Sequence, residues 1–135
     1  MGAKLTGGSK VQSNLRALES RMRAAQKAAV REGGRVVVRK AKRSLDSPGY
    51  PPVTRTGNLK RSTKILGVED KGYDVVCYIG STAVYAPRLE FGFTGVDSLG
   101  RAYNQPPYPF LRPAMGLSQK EIQAAVQARL KVAMR

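Results

Sequence analysis

Three patterns in this 135-residue sequence predict an α+β fold: a small antiparallel or mixed sheet flanked by a long N-terminal helix and a C-terminal helix. Val11, Leu15, Leu18, Met22, Ala25 and Ala29 recur at steps of four and three, which is one face of a helix. The runs Arg61–Val68 and Tyr73–Gly80 are separated by Glu69-Asp70-Lys71-Gly72 and read as a hairpin. Ser118 followed by Glu121 has the spacing of a capping box ahead of an apolar-periodic segment, which opens a second helix. The length suits one domain, 1–135, with one modest core.

Residues 1–9 are polar and glycine-containing and read as a flexible arm. Ser9 and Gln12 have capping-box spacing and mark where the first helix should begin. Gly33-Gly34 interrupts its apolar stripe, and Val30, Val37, Ala41 and Leu45 on either side carry the spacing on, shifted by one position. That shift is near the drift of a straight helix against a seven-residue repeat. Each interior glycine costs about 1 kcal/mol relative to alanine. One kinked helix and two stacked helices both fit, and the single helix is favoured. Continuous from Lys10 to Leu45 it would be about 54 Å long at ~1.5 Å per residue, wider than a domain of this size. Its first half then either needs an apolar surface from another subunit or folds back on the chain's own core.

Asp46-Ser47-Pro48-Gly49-Tyr50-Pro51-Pro52 ends the helix in a stiff loop. Thr56-Gly57 makes a turn in which Gly57 takes positive φ. On the second strand Tyr73, Val75, Cys77 and Ile79 share one face, and Val76 and Tyr78 make the other face apolar too. One face is then expected under a helix and the other against a neighbour. Residues 93–105 read as a long loop or loose hairpin, and Pro106 to Leu111 as an extended edge strand. Ile122, Ala125, Val126, Leu130 and Ala133 form the inner face of a helix at about 117–134. Lys131 and Arg135 suit the negative end of its dipole.

Composition narrows the chemistry. No run of about 18 apolar residues spans a membrane, and the N-terminus has no apolar region of a secretory signal. Met1-Gly2-Ala3-Lys4-Leu5-Thr6 fits the short myristoylation pattern, which also arises by chance. Cys77 is the one cysteine, so no internal disulfide forms and a reducing compartment is the natural setting. Histidine is absent, and the nine carboxylates are scattered apart from Glu69-Asp70. Neither a metal cluster nor a nucleophile–base pair can be assembled, so no enzyme and no cofactor are expected. Net charge is +15, of which residues 1–45 carry +10, from twelve Lys/Arg and two Glu. The N-terminal helix should therefore meet something acidic, DNA or an acidic protein surface, with Arg21, Arg23, Lys27 and Arg31 the candidate contacts.

Three short segments carry the remaining signal: Thr54-Arg55-Thr56-Gly57-Asn58-Leu59, Val84-Tyr85-Ala86-Pro87-Arg88-Leu89-Glu90-Phe91-Gly92 and Pro109-Phe110-Leu111-Arg112-Pro113-Ala114. Each reads as a rigid connector, because proline fixes φ and removes a donor at element boundaries. Gly57, Tyr85, Pro87, Glu90, Phe91, Gly92, Phe110, Arg112 and Pro113 are the structural candidates. Glu90, between Leu89 and Phe91, should be desolvated and need a partner. Arg112 and Arg55 are the candidates for it. A catalytic Glu90 is the sharper alternative, and no second acid or base accompanies it.

Taken in order, T-R-T-G-N-L, I-G-S-T-A-V-Y-A-P-R-L-E-F-G and P-F-L-R-P-A-M resemble the tail-completion family of long-tailed double-stranded-DNA bacteriophages, over roughly Val30 to Leu130. Its members are the neck, head–tail joining or tail-terminator proteins. The resemblance implies a structural protein that forms a homohexamer or other closed ring, caps the tail tube and docks it to the head connector. It implies the tail tube and head connector proteins as partners, non-specific contact with DNA in the channel, and no membrane. It places the protein at the head–tail joint of the virion, and in the host cytoplasm during assembly. In such a ring residues 93–105 would face the lumen or the adjoining ring; a tolerated surface insertion is the plainer reading. A basic nucleic-acid-binding module is the alternative. Charge favours it; the lack of an RRM-type strand signature, a GXXG clamp, zinc ligands and helix-turn-helix spacing counts against it.

Overall fold

The computed structural model describes residues 2–4, 6–48 and 57–135. Gly8–Leu45 is one uninterrupted helix, α1, about 57 Å long at ~1.5 Å per residue. It starts earlier than Ser9. Gly7 is the N-cap in the left-handed region at φ 109°, and no side chain caps the end. Ser9 thus lies inside the first turn, where its hydroxyl cannot play the capping role the sequence suggests, and Gly8 and Ser9 belong to the helix rather than to an arm. Asp46, Ser47 and Pro48 lie outside the helix. The rest of the stop signal, with Thr54, Arg55 and Thr56, lies outside the described residues.

The Gly33-Gly34 pair is a packing device rather than a break. A Cβ on Gly33 would meet Ile122 at 3.0 Å, and one on Gly34 would meet the Cys77 Sγ at 2.7 Å and Ile65 at 3.2 Å. The helix is therefore approached from two sides at one level. The approaching elements are α5 (Gln119–Ala133) and the hairpin of β1 (Thr63–Asp70) and β2 (Val75–Ser81). The pair's helix-propensity cost of about 1 kcal/mol each is offset by that close contact.

The hairpin is antiparallel, with Ile65 opposite Ile79 and Gly67 opposite Tyr78, so Leu66 is bulged out of register. The expected hairpin forms with its turn moved on: β1 continues through Glu69 and Asp70, which pair with Val76 and Val75, so residues 71–74 make the turn and β2 ends at Ser81. Arg61 and Ser62 belong instead to a short helix, α2 (Asn58–Ser62), entered through Gly57 at φ 65°. Thr63, fully buried, turns the chain from helix to strand by donating its hydroxyl to the Leu59 carbonyl at 2.7 Å. Tyr73 lies before β2 and is exposed. One face of the hairpin lies on α1; on the other, Leu66 and Tyr78 are open to solvent.

Past the hairpin come α3 (Ala86–Phe91), β3 (Phe93–Val96), β4 (Ala102–Gln105) and α4 (Leu111–Leu117). The sheet is thus two separate antiparallel two-stranded sheets, β1-β2 and β3-β4. Residues 93–105 are a paired hairpin, with Phe93 opposite Gln105. Pro106 to Phe110 is not a strand. With Pro106, Pro107 and Pro109 in the run, three of the N–H donors a ladder needs are missing. The second and third connectors are likewise helical starts. Pro87 sits in the first turn of α3 and Pro113 in the first turn of α4, the one part of a helix that tolerates proline.

The capping box at Ser118 is also not formed. Ser118 follows α4 directly and is already helical at φ −97°, ψ −5°, and its hydroxyl donates back to the Ala114 carbonyl. Glu121 reaches Lys40 of α1 at 2.6 Å instead. Along α5, Glu121, Ile122, Arg129 and Ala133 meet Lys40, Gly33, Glu32 and Arg21 of α1, so the two helices run antiparallel. The fully buried core sits at the other end of α1. It comprises Val37, Ala41, Leu45, Leu59, Ala83, Ala86, Leu89, Phe110 and Ala114, drawn from α1, α2, the segment before α3, α3, the N-cap of α4 and α4.

The glycine contact can be tested by substitution. Gly34→Ala gains about 1 kcal/mol of helix propensity but overpacks against Cys77 and Ile65 at a cost of about 1–3 kcal/mol. The urea midpoint should fall. In a Cys77→Ala background, where the 2.7 Å contact is gone, the same substitution should be neutral or stabilising.

Candidate assembly site

The strongest polar constellation is a clasp between α3 and α4. Glu90 is 6 % exposed. Its Oε2 accepts the backbone N–H of Phe110 at 2.8 Å and of Leu111 at 3.0 Å, and its Oε1 accepts that of Arg112 at 2.9 Å. A helix leaves its first four N–H groups without partners. Here those positions are Phe110, Leu111, Arg112 and Pro113, and Pro113 has no N–H to satisfy. One carboxylate therefore fills every vacancy at this helix start, through charge-assisted bonds. The sequence reading sought an arginine for Glu90. The Arg112 guanidinium instead lies 4.4 Å over the Phe91 ring, and Arg55 lies outside the described residues. The signal for the true partner was the proline itself: at the third helical position it leaves three donors, which the two oxygens of one carboxylate can accept together.

Around the clasp the three connectors meet. Asn58 Nδ2 donates to the Tyr85 hydroxyl at 3.2 Å, and Leu59, Leu89 and Phe110 are buried together. Tyr108 donates its backbone N–H to the Leu89 carbonyl at 2.6 Å. Gly92 turns the chain out of α3 at φ 77°, where a Cβ would meet the Gln105 carbonyl at 2.9 Å and the Pro107 nitrogen at 3.0 Å. Only glycine fits both the φ and the space. The β3–β4 hairpin leaves the body through this neck. Arg88 covers Phe93 at its base at 4.1 Å.

Asp97 braces the far end of that hairpin. Its carboxylate accepts the N–H groups of Leu99 at 2.9 Å and Arg101 at 2.8 Å, the Arg101 Nε at 2.7 Å and the Tyr103 hydroxyl at 3.2 Å. The Arg101 backbone N–H, with the other bonds behind it, holds the Asp97 carboxyl below its usual range. Burial and the bond to Asp97 push the Tyr103 hydroxyl up. Val96 and Leu99 near the turn are exposed.

The basic residues of α1 divide into two groups. Arg21 donates to the Ala133 carbonyl at the end of α5, at 3.1 Å. Arg23 and Lys27 lie 3.5 and 3.3 Å from the Asp70 carboxylate, which is held low first by the Gly72 backbone N–H and then by these cations. Three of the four partner candidates are thus engaged within the chain; Arg31 is exposed. A cluster the sequence reading did not single out lies on the C-terminal half of α1. There Arg35, Arg39 and Lys42 share a cleft with Lys64 of β1. The spacing of Arg35, Arg39 and Lys42 puts them on one face of α1, but only the fold brings Lys64 beside them. The apolar stripe of the N-terminal half is unburied, with Val11, Leu15 and Leu18 at 58, 60 and 46 % exposure. Of the two readings of that half-helix, folding back on the core is not what the chain does.

Two outcomes follow. Glu90→Ala leaves three buried or part-buried N–H groups without an acceptor, at about 1–3 kcal/mol for each unsatisfied group. The urea midpoint should drop severely, with Glu90→Gln between the variant and wild type. Separately, the Asp97 carboxyl is depressed in the fold. The brace is therefore fully present above the ordinary aspartate pKa of about 3.9 and is lost as pH falls through the lower folded value. Amide resonances of Leu99 and Arg101 should move together in acid, and Asp97→Asn should abolish the transition.

A family model described as "Bacteriophage HK97-gp10, putative tail-component" matches residues 9–92, more than half of the chain. The match takes in α1, the first hairpin and the first two connectors, and stops where the β3–β4 hairpin begins. No curated protein and no solved structure matches the chain. On this match the chain, with its long N-terminal helix and its α+β body, belongs to the HK97-gp10-like family of bacteriophage tail-component proteins.

Proposed function

We propose that the chain is a structural subunit of a closed ring, a homohexamer or another ring size, at the head–tail joint of the virion. There it caps the tail tube and docks it to the head connector, after assembly in the host cytoplasm. It carries out no reaction of its own. The observation that carries this reading is the half of α1 that outreaches its body. Val11, Leu15 and Leu18 continue, at steps of four and three, the line on which α5 packs, past the α5 C-terminus at Ala133. Burying an aliphatic side chain fully is worth about 1.5–3 kcal/mol, so three in a row are a strong drive to associate.

A second apolar surface supports a ring over a simple pair. Leu66 and Tyr78 are exposed on the hairpin face away from α1. Two unlike apolar surfaces on one chain suit a head-to-tail contact, which closes into a ring when the rotation permits. The β3–β4 hairpin, outside the family match, is then free to differ among members and to set the contact with an adjoining ring.

Leu15→Asp with Leu18→Asp tests this. Both positions are exposed, so the monomer's unfolding free energy should move by no more than about 0.5 kcal/mol. Sedimentation and negative-stain microscopy should show rings for the wild type, alone or with tail tubes, and only monomers for the variant. A wild type that stays monomeric in the presence of tail tubes, or a variant that assembles normally, would remove the ring.

A further inference from the structure

We infer that the cleft between the C-terminal half of α1 and the start of β1 is a binding surface for the phosphate backbone of duplex DNA. Arg35, Arg39 and Lys42 line it from α1 and Lys64 from β1, around a floor of Val38, Thr63 and Ile65. The cleft is about 360 Å³, and no acid lines it. A concavity of one charge sign with low-dielectric walls focuses the field and concentrates the opposite charge. Here the floor supplies that wall: Thr63 is fully buried, and Val38 and Ile65 are half-buried.

Spacing favours a regular polyanion over a small anion. Arg31, Arg35, Arg39 and Lys42 follow at steps of four, four and three, so they form one stripe. The stripe is about 16 Å long at ~1.5 Å per residue. Duplex DNA presents one charge per ~1.7 Å of axis, so roughly ten phosphate charges pass along such a stripe. Two acids stand beside the stripe, and both are already paired: Glu32, which Arg35 holds at 2.8 Å and Arg129 at 3.6 Å, and Glu121, which Lys40 holds at 2.6 Å with Arg39 and Arg43 near enough to act on it. That Arg35 pair is exposed, and a phosphate can replace it. Lys42 and Lys64 are in no ion pair among the described residues. By contrast Arg21, Arg23 and Lys27, three of the contacts expected from the sequence, are spent inside the fold. Contacts of this kind read the backbone and carry no sequence preference. The inference rests on the ring reading for the source of the DNA, since a head–tail joint surrounds the channel through which the genome passes.

The test compares Arg35→Gln/Arg39→Gln/Lys42→Gln/Lys64→Gln with a charge-matched control, Lys10→Gln/Lys120→Gln/Lys131→Gln/Arg135→Gln. Anisotropy of two unrelated short duplexes is followed from about 50 to 200 mM salt, where log K falls with a slope of about −0.9 per phosphate neutralised. The wild type should bind both duplexes alike. The cleft variant should lose about three to four units of slope and the control much less. In the wild type, DNA should protect Lys42 and Lys64, but not Lys120, from acetylation, a readout that no folding defect can mimic. Equal losses in cleft variant and control, or unprotected Lys42 and Lys64, would overturn the inference. So would a cleft variant that keeps its DNA slope but no longer binds tail tubes, which would assign the cleft to an acidic protein. Sedimentation of the same variants separates the two readings. Rings that do not bind DNA through the cleft refute this inference alone; cleft-dependent DNA binding by a chain that never forms rings refutes the ring.

Discussion

The Glu90 carboxylate, closed on three backbone N–H groups of the α4 start, is the interaction on which the C-terminal third of the chain depends. It joins residues twenty positions apart, and the chain between them is the β3–β4 hairpin with its proline-rich return. With the clasp closed, Phe110 is delivered to the core beside Leu59 and Leu89, and the chain turns into the hairpin at Gly92. A buried carboxylate is costly unless fully bonded. Here the match between acceptor and donors is complete, because proline removes the one donor that would remain.

The second organising constraint is the glycine pair of α1. A helix of 38 residues offers much surface, but the chain packs against only its C-terminal two-thirds. At Gly33 and Gly34 a second helix and a hairpin both approach within side-chain contact of the backbone. That close approach binds α1, α5 and the first hairpin as one body, and leaves Val11 to Leu18 protruding as a lever with an apolar side. Tail-component membership and this unfinished surface agree: the chain's apolar pattern is longer than its own fold can bury.

The elements with strong periodicity were legible in the sequence. The four-and-three spacing of α1, the alternation of β1 and β2 and the inner face of α5 depend on local residue order, and local order is what a sequence displays. Positive φ at Gly57 was legible for the same reason. What was not legible involves residues brought together from afar. Ser118 looks like a cap but follows another helix, so its geometry is already helical. Arg112 looks like the partner of Glu90, while its backbone N–H rather than its side chain makes the bond. Arg21, Arg23 and Lys27 look free until the α5 end and the β1–β2 turn are placed beside them. The cleft of Arg35, Arg39, Lys42 and Lys64 exists only once β1 lies against α1.

Each of the four strands among the described residues has a partner on one side only. Open strand edges are templates for indiscriminate pairing with other chains. The bulge at Leu66 twists one such edge away, and the net charge of +15 keeps free copies apart in solution. Mobile ions weaken that guard, over a distance of about 8 Å at physiological strength. How far free copies stay apart is therefore tied to ionic strength. Added salt brings strand edges within reach of one another and so admits wrong pairings.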